Sequence, residues 1–264
     1  MGFFDGMKTN KLGQKAYNTH VQANDLNKRG RMAEAKAKFE DAKKQYEEAY
    51  AAGCRRTNIL MAYAVLLMRL GDFARARELM KEISAIGGLS EDTHFELRVN
   101  YSICLWRLGI LDEAIKTIAY AGKHAKNGSY YSSLGTFLVE QAGRTGQESD
   151  FEAAKALLDE AMDYDDEDAA TLDNYGEYYR LLSLREGDAE LAAGLLAQSR
   201  NYYELAHKQK PGQITTLYAL AKFEKEDGNL ARARELTDKA IMHWSSKVCP
   251  ISLEQLQALK AELG

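Results

Sequence analysis

Apolar and polar positions follow one another along this chain at a spacing that a helix explains. Six times an alanine or serine is followed four residues later by a larger side chain and three after that, with one exception, by an alanine. The triplets are Ala35/Phe39/Ala42, Ala76/Met80/Ile83, Ala114/Ile118/Ala121, Ala154/Leu158/Ala161, Ser199/Tyr203/Ala206 and Ala233/Thr237/Ala240. Steps of four and three return to the same face of a helix, so each triplet marks a buried stripe. The triplets recur every 34 to 45 residues. A unit of that length cannot bury its apolar face alone, and stacking such units creates a continuous core.

A glycine followed by a short step precedes four of the triplets: Gly30-Arg31-Met32, Gly71-Asp72-Phe73, Gly109-Ile110-Leu111 and Gly228-Asn229-Leu230. Each predicts a helix C-cap and a tight turn into the next helix. Upstream of the turns, apolar or small residues recur at helical spacing, as in Leu60/Tyr63/Ala64/Leu67, Tyr131/Leu134/Gly135/Leu138 and Leu172/Tyr175/Gly176/Tyr179. The small residue in the middle lets a second helix approach closely. Each unit is therefore expected to be an antiparallel helix hairpin. Extra residues fall in a prolonged second helix near Gln45 to Ala52, a loop at Arg144 to Asp150, and a longer hairpin around Leu184 to Gly194.

Composition sharpens this picture. Only Pro211 and Pro250 occur in 264 residues, both between apolar-periodic segments, as a nearly all-helical chain requires. The formal charge of -4 argues against broad nucleic-acid binding, which needs a cationic surface to displace counterions. Cys54, Cys104 and Cys249 are odd in number and lie in apolar helical surroundings, which predicts free thiols. The start, Met1-Gly2-Phe3-Phe4-Asp5, has neither a basic n-region nor a long apolar stretch, and the longest apolar run, Ile59 to Met68, is too short to span a bilayer. A cytoplasmic protein is expected. Gly2 does not make a myristoylation motif, because Gly6 stands where Ser or Thr is needed.

The hairpin pattern resembles the tetratricopeptide repeat, whose consensus places W-x2-L-G-x2-Y before a glycine, then A-x3-F-x2-A and a proline. The last unit follows its spacing best, with Leu217, Leu220, Ala221, Gly228, Ala233 and Ala240. Departures exist: no unit has the leading Trp, only Pro211 matches the closing proline, and Ile83 replaces an alanine. The resemblance covers about residues 14 to 245. It implies an all-α fold, a right-handed α-α superhelix of about six hairpins. The expected organisation is a mobile leader over 1–13, a repeat array over 14–249 and a capping helix over 250–264. In that last segment Ser252 is a good N-cap, Gln255 stands at the capping-box position, and Leu253, Leu256, Leu259 and Leu263 share a face.

Catalytic chemistry finds little support. His20, His94, His124, His207 and His243 are scattered over five units without paired spacing, and no phosphate loop, dinucleotide fingerprint or nucleophile elbow is present. Asp163-Tyr164-Asp165-Asp166-Glu167-Asp168 suggests calcium, but it lacks the loop glycine and the closing glutamate of a calcium loop, and capping of the next helix explains it. No enzyme activity, cofactor or metal is expected.

The resemblance implies that first helices line a concave groove that binds a partner. Carried over by position, the groove residues are Tyr17, His20, Asn24 and Asn27; Asn58, Met61, Val65 and Met68; and Glu96, Val99, Ile103 and Trp106. Met61, Val65, Met68, Val99, Ile103 and Trp106 would form an apolar patch, with Asn24 and Asn58 beside it, open to a partner or else core of the stack. The next three units offer polar positions instead: Ser129, Ser132 and Thr136; Asp173, Glu177 and Arg180; Tyr218, Lys222 and Lys225. Clamps for a C-terminal carboxylate use Lys, Asn, Asn, Lys and Arg; here only Asn24 matches, with His20, Ala62, Glu96 and Asn100 at the other places. Clamp-type chaperone binding is not expected. Phe3 and Phe4 stand in a polar leader, where they either remain disordered or dock on the groove or a second molecule. The resulting expectation is a non-catalytic scaffold binding a protein or peptide partner of unknown identity. Self-association through the patch, or through the tyrosine-rich stretch from Tyr164 to Tyr203, is the alternative.

Overall fold

The computed structural model describes residues 3–244 and 249–264, with side chains from Thr9 onward. Thirteen α-helices and no strand are found among the described residues. The chain forms two compact units, one up to Gly109 and the other beginning at Ile110.

The first unit contains α1 (Phe3–Lys28), α2 (Met32–Ala51), α3 (Thr57–Arg69), α4 (Phe73–Ile86) and α5 (Glu91–Arg107). α1 pairs with α2, and α3 with α4, while α3 also touches α1, α2 and α5. Helices α1, α3 and α5 thus make one layer, with α2 and α4 in the other. The second unit contains α6 (Leu111–Ala121), α7 (Gly128–Thr145), α8 (Glu148–Tyr164), α9 (Ala169–Arg185), α10 (Ala189–Gln209), α11 (Ile214–Glu226), α12 (Leu230–His243) and α13 (Leu253–Glu262). Its hairpins are α7/α8, α9/α10 and α11/α12, with α6 against α7 and α13 against α12.

All members of the six triplets are buried, at 4% exposure or less, and they lie on α2, α4, α6, α8, α10 and α12. The two aliphatic hydroxyls among them, on Ser199 and Thr237, are satisfied internally. Ser199 Oγ donates to the Gly176 carbonyl at 2.7 Å, and Thr237 Oγ1 to that of Ala233 at 2.8 Å. Gly176 shows why the first helices need small residues: a Cβ there would come within 2.8 Å of the Tyr203 ring. The turn glycines Gly30, Gly71, Gly109 and Gly228 all have positive φ, between 74° and 82°. At Gly71 the Asp72 N–H reaches back to the Leu67 carbonyl at 2.9 Å, closing the C-cap, and the Asp72 carboxylate then accepts from the Arg75 N–H at the start of α4.

A second periodic feature lies outside the repeat consensus. The last-turn arginines Arg69 and Arg107, each followed by Leu-Gly, cover Phe39 and Phe73 of the preceding second helix at 4.5 and 4.8 Å, and Arg185 covers Phe151 at 4.3 Å. Each cation faces an aromatic π surface while sitting at the negative end of its own helix.

Two expected boundaries differ. Residues 3–13 are the first turns of α1, where Leu12 packs on the core and Gly13 lies against Cys54 and Ile59. The side chains of Phe3 and Phe4 lie outside the described residues. Between Arg144 and Asp150 the expected loop shrinks to Gly146 and Gln147, because α7 runs to Thr145 and α8 starts at Glu148. A left-handed Gly146 ends α7, and the Asp150 carboxylate accepts hydrogen bonds from Gln141 and Thr145 of that helix, so the extra length extends the helices.

At the C-terminus, Ser252 accepts from the Gln255 N–H at 3.1 Å, and Gln255 Oε1 accepts from the Ser252 N–H at 2.8 Å. Leu256, Leu259 and Leu263 are buried with the α11/α12 core. Arg234 Nε on α12 donates to the Leu263 carbonyl at 2.9 Å, and Lys260 pairs with Asp238 at 2.6 Å.

Candidate functional site

The layer made by α1, α3 and α5 carries the residues that the sequence places in a binding groove. On α1, Tyr17 and Val21 are exposed and Asn24 half-buried, three positions on one helical stripe. On α3 the corresponding stripe holds exposed Asn58, half-buried Met61 and exposed Val65. On α5 it holds exposed Glu96 and half-buried Asn100 and Ile103. Apolar side chains here alternate with side-chain amides, which can accept and donate to the backbone of a bound peptide.

Several expected members of the patch are not available. Met68, Val99 and Trp106 are buried, at 3, 8 and 7% exposure, and Met61 and Ile103 pack on the core of the first unit. The reason for Met68 lies in the number of neighbours. α3 is touched by α1, α2, α4 and α5, so its buried arc runs through Leu66, Leu67 and Met68 and leaves only a narrow stripe open. On α5, Val99 and Trp106 share one buried stripe with Phe95 and Ser102, and Ile103 lies one step aside. Val21 was missed by the consensus positions; its place four residues after exposed Tyr17 on the same stripe was the available signal.

His20, also expected in the groove, is buried beneath it. Its ring meets Phe39 and Tyr46 edge-on at 5.9 and 6.0 Å, and its Nδ1 lies 3.4 Å from the Tyr46 hydroxyl. Burial, with the Arg69 guanidinium nearby, pushes its pKa down to about 4. A neutral imidazole there is a packing element rather than a ligand-binding cation.

The polar positions of the second unit have their own partners. Thr136 on α7 donates to Asn174 on α9 at 3.0 Å, and Thr216 on α11 donates to Asp173 on α9 at 2.5 Å. Burial holds the Asp173 carboxyl up at about 6, against the lowering effect of the Thr216 hydroxyl. Glu177 accepts two bonds from Arg180 and one from the Tyr203 hydroxyl. The change from apolar to polar along the first helices therefore reflects a change in how those helices are joined.

Tyrosines of the stretch from Tyr164 to Tyr203 are largely internal. Tyr202 stacks on Tyr175 at 4.8 Å and on Tyr179 at 5.5 Å, and the Tyr175 hydroxyl donates to Asp159. Asp168, the last of the acidic run, caps α9 by accepting from the Thr171 N–H at 2.8 Å. No helix of the described residues is long and apolar enough to cross a membrane.

No protein-family model matches the sequence, and no curated protein matches it. Solved structures do match in fold. A tetratricopeptide repeat protein from Parabacteroides merdae superposes with a TM-score of 0.64 over 98% of this chain and 99% of that one, at 12% identity. The thermophilic tetratricopeptide protein TTC0263 of Thermus thermophilus gives 0.61 over 79% of this chain and 98% of that one, at 17% identity. Human IFIT1, solved as a dimer with PPP-AAAA, gives 0.57 at 19% identity over 77% of this chain, which spans 46% of IFIT1. The chain has the α-α superhelical fold of these tetratricopeptide repeat proteins.

Proposed function

We propose that this tetratricopeptide-repeat fold serves as a non-catalytic scaffold, binding an extended peptide or helix of a partner protein on the α1/α3/α5 face. The observation that carries this reading is the exposure of Tyr17, Val21 and Val65, at 40, 48 and 41%, beside the amides of Asn24 and Asn58. Apolar side chains that the fold does not bury are the anchors such a partner needs, and nearby amides orient its backbone.

Val65→Asp is the direct test, because Val65 is exposed and the change leaves the core intact. Crosslinking capture from the native host, read by mass spectrometry, should lose the partner recovered with the wild type while the melting temperature stays the same. Undiminished recovery of the same partner would remove this face from the mechanism. Trp106→Ala is unsuitable as a test, since loss of that buried side chain would cost stability of about 3–5 kcal/mol.

A further inference from the structure

The two most exposed large apolar side chains among the described residues sit at one end of one hairpin of the second unit. Leu184, 70% exposed, is in the last turn of α9, and Leu191, 60% exposed, is in the first turn of α10. Only Glu186, Gly187 and Asp188 separate the two helices. The surface continues along α10 with exposed Ala193, Gly194 and Ala197, whose small side chains permit close approach of another helix.

Charge surrounds these leucines with one sign. Glu186, Asp188 and Glu190 are exposed, and none of them is in a salt bridge among the described residues. Asp188 accepts from the Glu190 and Leu191 N–H groups at 2.9 and 3.0 Å, and Glu186 from the Asp188 N–H at 3.0 Å, which holds the carboxylates in place around the tip. The one cation of the turn, Arg185, is already engaged by Glu148 at 3.2 Å and lies over Phe151.

We infer that the α9/α10 tip is a second docking surface and that its occupant is a cationic amphipathic helix of another protein. The leucines supply apolar anchors, and the unpaired carboxylates complement lysine or arginine along the edge of the incoming helix. A second copy of this chain fits poorly, because two tips meeting would bring like charges together around the leucines.

The probe is a dye-labelled synthetic helix with leucines on one face and lysines on the other, followed by fluorescence anisotropy at low and high salt. A scrambled peptide of the same composition is the control. The full chain should bind the amphipathic helix more tightly than the scrambled one and lose affinity with salt. Leu184→Ser combined with Leu191→Ser should weaken binding by about tenfold or more. Glu186→Gln with Glu190→Gln, which retains the hydrogen-bond acceptors, should remove much of the salt dependence. Val65→Asp should leave the affinity unchanged, which separates this surface from the α1/α3/α5 face. Equal binding of the scrambled peptide, undiminished binding by the double serine variant, or loss of binding in Val65→Asp would each overturn the assignment. So would a dimer in light scattering that the double serine variant converts to a monomer.

Discussion

Acidification should loosen the first unit through one side chain. His20 of α1 is enclosed by Phe39 and Tyr46 of α2, with Arg69 of α3 as the nearby charge, and its pKa falls from the ordinary 6.5 to about 4. Between those values the unfolded chain binds a proton that the folded chain excludes, so stability is complete above the ordinary value and is lost as pH falls toward the folded one. The full shift corresponds to about 3 kcal/mol. Relaxation around a ring with some solvent access reduces this to about 1–2 kcal/mol. Urea unfolding followed by far-UV circular dichroism, at about pH 7 and about pH 5, measures it. His20→Gln, which is neutral at both pH values, should lose stability at neutral pH but show a shallower decline on acidification than the wild type. Parallel declines in the two proteins would refute the assignment to His20.

In the second unit the sign reverses. Asp173, raised from the ordinary 3.8 to about 6 by burial, favours the folded state as pH falls through about 6, so Asp173→Asn should stabilise the unit near neutral pH by about 1–2 kcal/mol, read from the urea midpoint. Asparagine keeps an acceptor for the Thr216 hydroxyl. Gly176→Ala should cost about 1–3 kcal/mol in the same assay, because the new methyl group meets a Tyr203 ring that is itself buried and bound to Glu177. A stability equal to the wild type would mean that α9 and α10 can separate without cost.

The face of α1, α3 and α5 was only partly legible in the sequence. Tyr17, Val65 and Asn58 are exposed at consensus groove positions, but the same consensus also selects His20, Met68, Val99 and Trp106, which are buried. Helical spacing identifies which residues share a stripe. How wide the buried arc becomes depends on the number of helices that touch it, and α3 has four neighbours. Similarly, Thr136 and Asp173 read as a polar ligand surface, whereas Asn174 and Thr216, lying 38 and 43 residues further along the chain, take up their hydrogen-bonding capacity.

What the sequence alone determined was local. The triplets from Ala35 to Ala240 and the turn glycines follow from steric demands within a few residues: a close helix approach needs small side chains, and a positive φ needs glycine. The Ser252/Gln255 capping box is equally local, since both partners lie within one turn. Tertiary structure alone decided which face stays open, where the arginines stack on aromatics of a preceding helix, and which ionisable groups are driven from their ordinary pKa values. Those outcomes depend on residues tens of positions apart being brought together and sealed from water, and no short-range pattern records that separation.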